Sequence, residues 1–447
     1  MKNIMKMGAF AVAMLTAVSC SENETDLPLP DNNNGQVALG ISTDLKVDAG
    51  TKAVTRSLVE GTKITYNAAK YTDSDSVPGI GVAILNKARN GWYSPEGTVT
   101  DYETNHQVWF MGDANGGNWT AISAKGDNFA GKTENPFYLK KDVGCVYAYY
   151  PYTSGAFTSL TLSSEADMKV TANLVDNVAI DAQYVNNAAM VWTSLGNWAT
   201  NSATNKKLKI AALAEKDYMY HDSTDIGGRY VNNGHADGEP VVTPEAEPAN
   251  NNDKNPGWKI ALQMKHALSM VSFRVYDGGN LSTNDVNFTK FEIKDHAGVS
   301  KFYKEGTMSL LDGAITTSGS VGSITRTINN YVIKRQVADG VTENENQFVS
   351  TSKITTTSGV NGKTVSKAVS ALVYPLNFSD NEIDVTVTLK DATTNAEMVF
   401  TVSLPGIEWV AGSNYIYTLM AGKNKLDVVS VAVTDWDDQE QGGEIIL

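Results

Sequence analysis

The chain has 447 residues, with 36 lysines and arginines against 50 aspartates and glutamates, and a formal net charge of −14. This acidic excess argues against nucleic acid and anionic membrane surfaces as partners. An apolar content of 42% is that of a globular chain, and the length suffices for two or three domains with cores of their own.

The first twenty residues have the pattern of an export signal. Lys2 and Lys6 form a short basic region, and the apolar stretch MGAFAVAMLTAVS after them is too short to span a bilayer. The pattern resembles a bacterial lipoprotein signal, residues 1–19, in which Cys20 becomes the lipid-carrying first residue of the exported chain. An ordinary signal peptide that contains a cysteine is the alternative. The acidic, Pro- and Asn-rich stretch that follows predicts a flexible tether.

The next predicted element is a strand at residues 37–47, where apolar and polar side chains alternate. Its apolar face consists of Val37, Leu39, Ile41, Leu45 and Val47. The loop after this strand contains Arg56 and Ser57, between which an arginine-specific protease would cut, and Lys52 and Lys63 offer alternative sites to a trypsin-like protease. A cut after Arg56 would detach residues 20–56, a lipidated propeptide that carries the strand away with it.

Beyond this loop the apolar pattern has a period of two almost everywhere, in short runs rich in β-branched and aromatic residues. The runs are IGVAILNK, CVYAYYPY, SMVSFRVYD, FTKFEIKD, AVSALVYPL, EIDVTVTLKD, MVFTVSLPG, NYIYTLMAG and LDVVSVAVTDW. Such spacing indicates antiparallel β-sandwiches. The periodicity disappears at residues 232–257, which are a linker between a domain at 57–231 and a domain at 258–425, or a long surface loop within one domain.

No arrangement of residues in the sequence indicates catalysis or metal binding. The histidines are isolated from one another and from paired cysteines, and no phosphate-binding or nucleophile motif is present. Cys145 lies within a strand-like aromatic run, where a lone cysteine is far more often a small buried apolar residue than a nucleophile. We therefore expect no enzymatic activity, no cofactor and no metal ion. A secreted hydrolase would lack an identifiable nucleophile or acid pair.

Several short motifs, taken in order, resemble the fimbrillins, which are the subunits of lipoprotein-derived type V pili. In the second half, KHALSMVSFRVYD resembles the opening strand of that family, GTMSLLDGAI a following turn, and WVAGSNYIYTLMAGKNKLDVVSVAVTDW its closing strands. In the first half, VYAYYPY and EKDYMY resemble tyrosine-bearing strands of the family. The resemblance implies an all-β protein with two transthyretin-like antiparallel β-sandwich domains, no catalysis, and assembly by exchange of strands between subunits.

The last predicted strand, at residues 426–436, is about as long as the first. Plain alternation puts Val429, Val431 and Val433 on one face, with Leu426, Val428 and Trp436 on the other. It is either the last strand of its own sandwich or, with the rest of residues 426–447, a donor strand that fills a groove in another subunit. The glycines after it predict a hinge, and the apolar tip Ile445, Ile446 and Leu447 predicts docking.

Together these features predict a structural pilus subunit that serves adhesion or colonisation. Its expected partners are copies of itself or related pilins, an arginine-specific protease, and the outer membrane, which holds the lipidated precursor until the cut moves the subunit into a surface fibre. A glycan-binding surface lipoprotein that stays anchored and uses exposed Trp or Tyr side chains is the alternative. The sequence leaves open whether the subunit belongs to the shaft or the tip, and which end donates a strand.

Overall fold

A computed structural model describes residues 37–45, 80–93, 107–111, 119–122, 137–152, 156–157, 164–181, 216–222, 229–233, 258–344, 346–349, 368–435 and 444–446. Within these residues the chain is built of β-strands and has a single helical turn, a 3-10 helix at Glu165–Asp167. The predicted all-β fold class is thereby confirmed. No helix in this part of the chain has the length and apolarity needed to cross a membrane.

Eleven strands precede the predicted linker in the described residues. They are β1 (Val37–Ala38), β2 (Gly40–Leu45), β3 (Ile80–Asn86), β4 (Gln107–Met111), β5 (Trp119–Ile122), β6 (Tyr138–Leu139), β7 (Gly144–Tyr150), β8 (Lys169–Thr171), β9 (Val178–Asp181), β10 (Met219–His221) and β11 (Tyr230–Val231).

Sixteen described strands follow the linker. They are β12 (Lys259–His266), β13 (Ser269–Asp277), β14 (Val286–Asp295), β15 (Tyr303–Ser309), β16 (Ile315–Val321), β17 (Ser323–Asn329), β18 (Lys334–Gln336), β19 (Gln347–Phe348), β20 (Val369–Val373), β21 (Leu376–Phe378), β22 (Ile383–Asp391), β23 (Glu397–Ser403), β24 (Ile407–Trp409), β25 (Ser413–Ala421), β26 (Leu426–Asp435) and β27 (Glu444–Ile446).

The strands form four main sheets. Sheet A has the order β2-β12-β10-β7-β3-β4-β5, with β11 also paired to β7. Sheet B has the order β19-β18-β13-β25-β26-β27, with β20 also paired to β13; sheet C has the order β23-β22-β14-β17-β9. Sheet D is β16-β15-β8, and the pairs β1-β6 and β21-β24 stand apart.

Sheet A encloses one apolar core. Along β7 the side chains alternate, so that Val146, Ala148 and Tyr150 face this core. The strands β2 and β5, at opposite ends of the sheet order, lie close to each other. The sheet therefore curls toward closure around its core, and β2 lies between β12 and β5.

Sheets B and C pack face to face around a second core. Phe273 on β13 meets Phe291 on β14, with ring centroids 5.0 Å apart, and stacks on Tyr417 of β25 at 5.6 Å. The other face of β7 joins this core through Cys145, Tyr147 and Tyr149. One apolar cluster therefore runs from sheet A into the sandwich of sheets B and C.

The sheets are not purely antiparallel, which differs from the sequence-based prediction. Parallel pairs are β2-β12, β9-β17, β13-β18, β13-β25 and β18-β19. All of these pairs except β18-β19 join strands that are separated by other elements, and the alternation within a strand carries no information about the direction of such a neighbour.

The predicted domain division stays a prediction, since most of residues 232–257 lie outside the described part. Two features bear on it. The strand β12 begins just after this stretch and pairs with β10 and β2 of sheet A, whereas β13 lies at the centre of sheet B. The joint between them is buried, with Ala267 1% and Leu268 0% exposed. The crossing from one core to the other therefore occurs after residue 266.

Candidate functional site

The N-terminal strand lies at the edge of sheet A. Its backbone pairs in parallel with β12 through six residue pairs, from Gly40↔Lys259 to Leu45↔Met264. Two further backbone hydrogen bonds fix its start: Leu39 N donates to Phe137 O at 2.8 Å and Gly40 N donates to Trp258 O at 2.9 Å. From Gly40 onward, the only hydrogen-bonded neighbour within the described residues is β12, and β2 can leave without breaking any other pair of sheet A.

Two side chains of this strand enter the core of sheet A. Leu39 is 3% and Ile41 is 4% exposed, and both belong to the cluster that contains Ile260 and Leu262 of β12. Val37 pairs through its backbone with Leu139. Val47 lies outside the described residues, as do Cys20, Arg56 and Ser57, so the structure tests neither the lipid nor the cut.

The C-terminal strand β26 is part of its own sandwich in this structure. It pairs antiparallel with β25 from Ser413↔Asp435 to Ala421↔Leu426. Leu426 is 6% and Val431 is 2% exposed, and both face the core between sheets B and C. A role as donor strand stays a prediction, because this arrangement is that of an internal strand.

The faces predicted for this strand are wrong because a β-bulge interrupts the alternation. Thr418 pairs with Ser430 and Leu419 pairs with Val428, which leaves Val429 without a partner of its own in the ladder. Leu426, Val428, Val431 and Val433 therefore all contact the same core. Ala432 lies on the opposite face, beside Ala368 and Ile416. Trp436 lies outside the described residues.

The end of the chain docks on this last strand. The short strand β27 pairs antiparallel with β26, with Ser430↔Ile446, Val431↔Ile445 and Ala432↔Glu444 as partners. It occupies the outer edge of β26, opposite β25. At Ser430–Ala432 the backbone edge that β26 would present to another chain is therefore covered by β27.

Three buried side chains, Cys145, Tyr147 and Arg229, lie together where sheet A meets the second core. The Cys145 thiol is fully buried and 3.6 Å from the Tyr147 hydroxyl, and burial raises the pKa of the thiol. The Arg229 guanidinium lies over the Tyr147 ring and donates to the carbonyls of Leu310, at 3.3 Å, and Leu311, at 2.8 Å. A protonated thiol in such surroundings is a packing residue, and the arginine connects sheet A to the turn after β15.

The described histidines are held in pairs with backbone or carboxylate groups. His266 Nδ1 lies 2.9 Å from Asp217 Oδ1, and His296 Nδ1 lies 3.0 Å from Asp384 Oδ2. His221 Nδ1 accepts from the backbone N–H of Gln263 at 3.0 Å. Among the described residues no three His, Cys, Asp or Glu side chains converge as a metal site would require.

These features define an all-β protein with an edge strand near each terminus, rather than a constellation of reactive side chains. The model of the fimbrillin-like family matches residues 245–436. This range contains the strands from β12 to β26, which include most strands of sheets B and C. The resemblance to the fimbrillins predicted from the sequence is confirmed by this match. No curated protein matches the sequence.

Several solved structures are similar over most of their length. A candidate cell adhesion protein of Bacteroides uniformis has 17% identity and a TM-score of 0.41, covering 90% of this chain and 100% of that one. One from Bacteroides ovatus has 12% identity and a TM-score of 0.44, with coverages of 90% and 98%. The fimbrial anchor protein Mfa2 of Porphyromonas gingivalis has 10% identity and a TM-score of 0.27, with coverages of 92% and 98%. Because these scores lie below 0.5, no function is inferred from them.

Proposed function

We propose that the protein is a structural subunit of a surface fimbrium that serves adhesion or colonisation. On this proposal it is exported as a lipoprotein, anchored through Cys20 in the outer membrane, cut after Arg56, and joined to copies of itself or related pilins by strand exchange. The match of residues 245–436 to the fimbrillin-like family supports a role in a fibre. The observation that carries the strand exchange is the edge position of β2.

The strand β2 is well placed to be a temporary occupant of sheet A. Burial of Leu39 and Ile41 contributes roughly 3 to 6 kcal/mol gross, whereas ordering a strand costs about 1.5 kcal/mol per residue, so the burial of these two side chains does not by itself hold the strand in place. A strand held so weakly depends on its covalent tether, which supplies an effective concentration of order millimolar. A cut after Arg56 removes the tether, and the vacated position beside β12 becomes a groove for a strand of another subunit.

The strand proposed to fill this groove is β26, within residues 426–447. To leave its own sandwich it must release β27 on one side and β25 on the other. The burial of Leu426 and Val431 is lost in this step and has to be recovered in the neighbour's groove. Because β2 occupies that groove before the cut, the loss is not recovered and the exchange is unfavourable until the cut empties the groove.

A disulfide that locks β26 onto β25 tests this exchange. Ile416 and Ala432 are direct partners across the two strands, so Ile416→Cys with Ala432→Cys allows a disulfide between them. We expect cleaved subunits with this disulfide to stay monomeric and to polymerise once it is reduced. The matched control is Thr386→Cys with Thr401→Cys, which joins directly paired, solvent-facing positions of β22 and β23.

Fibre growth is followed by electron microscopy and by size exclusion after protease treatment. The control disulfide should leave polymerisation unchanged, and Arg56→Ala subunits should remain uncut and monomeric. Fibres from the oxidised Ile416/Ala432 variant would show that β26 does not leave its sandwich and would overturn the donor assignment. A surface form that keeps Cys20 at its N-terminus, found by N-terminal sequencing, would instead favour the anchored glycan-binding lipoprotein.

A further inference from the structure

We infer that residues Met168–Asp181 act as an internal strand complement, a segment from the sheet A region of the chain that completes the sandwich formed by sheets B, C and D. The segment lies between β7 and β10 in the sequence, both of which belong to sheet A. Its own two strands nevertheless pair with sheets D and C. The inference does not depend on the proposed function.

The first part of the segment closes the edge of β15. The strand β8 pairs antiparallel with it through Lys169↔Ser309, Val170↔Met308 and Thr171↔Thr307. The backbone bonding then continues beyond β8, with Ala172 N donating to Gly306 O at 2.9 Å and Leu174 N donating to Lys304 O at 2.8 Å. One edge of β15 is therefore occupied along most of the strand.

The second part closes the edge of sheet C. The strand β9 pairs in parallel with β17, from Val178↔Arg326 to Asp181↔Asn329. Alternate side chains of the whole segment enter the core between the sheets. Met168, Val170, Ala172, Leu174 and Ile180 belong to the large apolar cluster, and Val178 is buried as well. The segment thus passes from one sheet to the next and supplies core residues to the sandwich along its way.

Polar contacts fasten the corner between the two strands. The Asp176 carboxylate accepts from Lys304 Nζ at 2.9 Å and from the backbone N–H of Thr325 at 2.8 Å. The fully buried Arg326 donates to Val175 O at 3.1 Å. The Tyr374 hydroxyl donates to Ala172 O at 2.8 Å. Strand pairing, core side chains and polar contacts all attach the corner to residues 304–374.

The consequence is that the two cores form one folding unit. The sandwich lacks two strands and five side chains of its core cluster until the chain between β7 and β10 is in place. A local opening of Met168–Asp181 should therefore raise amide exchange in β15 and β17, which lie far from it in sequence.

Hydrogen exchange on the full chain, read by mass spectrometry, tests this with two substitutions in one strand. Ile180 is 0% exposed, whereas its neighbour Ala179 is exposed. We expect Ile180→Asp to raise exchange in β15 and β17 roughly tenfold or more, because a charge in the core expels β9. Ala179→Asp adds the same charge to the solvent face and should leave these strands near the wild-type rate.

A milder substitution decides the matter if Ile180→Asp fails to fold. Asp176→Asn weakens the contacts with Lys304 Nζ and the Thr325 N–H, and should raise exchange at β17 and at residues 304–309. Asp339→Asn, in an exposed turn of the sandwich, is its control. The inference is overturned if Ile180→Asp or Asp176→Asn raises exchange only in sheet A strands, or if the variant shows the same exchange in β15 and β17 as its control.

Discussion

Val429 is the residue at which the last long strand changes its pattern. Without the bulge, strict alternation would point Val431 and Val428 to opposite faces. With it, both contact the core between sheets B and C, and Val429 belongs to no apolar cluster of the described residues. A single extra residue therefore decides which valines carry the burial energy of the strand.

This difference predicts unequal effects of one substitution at two neighbouring positions. Val431 is only 2% exposed, so Val431→Asp places a carboxylate in the core. We expect this substitution to lower the free energy of unfolding by about 3 kcal/mol or more. Val429→Asp, at the half-buried bulge, should cost about 1 kcal/mol or less. Urea denaturation of the two purified variants provides the comparison. Equal losses would mean that the bulge does not set the faces.

Gly81 shows the same dependence on a single position in sheet A. A Cβ atom at Gly81 would lie 2.2 Å from the ring of Tyr149, which is fully buried on the neighbouring strand. The glycine thus leaves the space into which a large aromatic side chain packs, and this contact places the Tyr149 ring in the cluster shared with the second core.

At the scale of elements, β2 and β26 are both strands near a terminus, but they are held differently. Among the described residues β2 has one hydrogen-bonded neighbour, and Ile41 on this strand and Leu39 just before it enter a core. The strand β26 lies between β25 and β27 and contributes four apolar side chains. Departure of β26 therefore breaks two strand pairings, whereas departure of β2 breaks one among the described residues.

Two truncations separate the roles of the C-terminal elements. Deletion of residues 437–447 removes β27 alone and should lower Tm by no more than about 3 °C, since three edge pairs are lost. Deletion of residues 426–447 also removes β26 and opens the core, and should lower Tm by roughly 10 °C or more. Thermal unfolding followed by circular dichroism gives both values. Near-native melting of the longer truncation would show that β26 contributes little to its own sandwich.

At the scale of the whole molecule, the continuous core brings tyrosines from distant strands out of water. Burial raises the pKa of Tyr218 to about 12, and it also raises the pKa values of Tyr147, Tyr374 and Tyr417 above their ordinary range. The neutral phenol is thus favoured in the folded state relative to the unfolded state, where its pKa is about 10.

The sign of this linkage predicts instability in alkali. The contribution of each raised tyrosine is complete below about pH 10, and it falls by about 1.4 kcal/mol per pH unit as the pH rises toward the folded-state pKa. Urea denaturation between pH 9 and 12, in the wild type and in Tyr218→Phe, measures the slope. The variant lacks the hydrogen bond from the Tyr218 hydroxyl to Asn173 O at every pH, which lowers its stability by a constant amount. The expected sign of the raised tyrosine pKa is therefore a weaker dependence of the unfolding free energy on pH in the variant than in the wild type. An unchanged slope would contradict the assignment.

The sequence by itself determined the fold class and the positions of the long strands. The short apolar runs located β3, β7, β13, β22 and β25 closely, because the side chains on one or both faces of these strands are buried. The alternation at Leu39 and Ile41 similarly marked the strand that the structure places at the edge of sheet A.

The tertiary structure decided which strands are neighbours, and with that the candidate site. The run from Met168 to Leu174 has the same period of two, yet nothing local indicates that it pairs with β15 rather than with sheet A. The docking of β27 on β26 and the bulge at Val429 also depend on partners from other parts of the chain. A side-chain pattern records which face of a strand is buried, whereas pairing, direction and register arise only when distant segments compete for the same backbone edges.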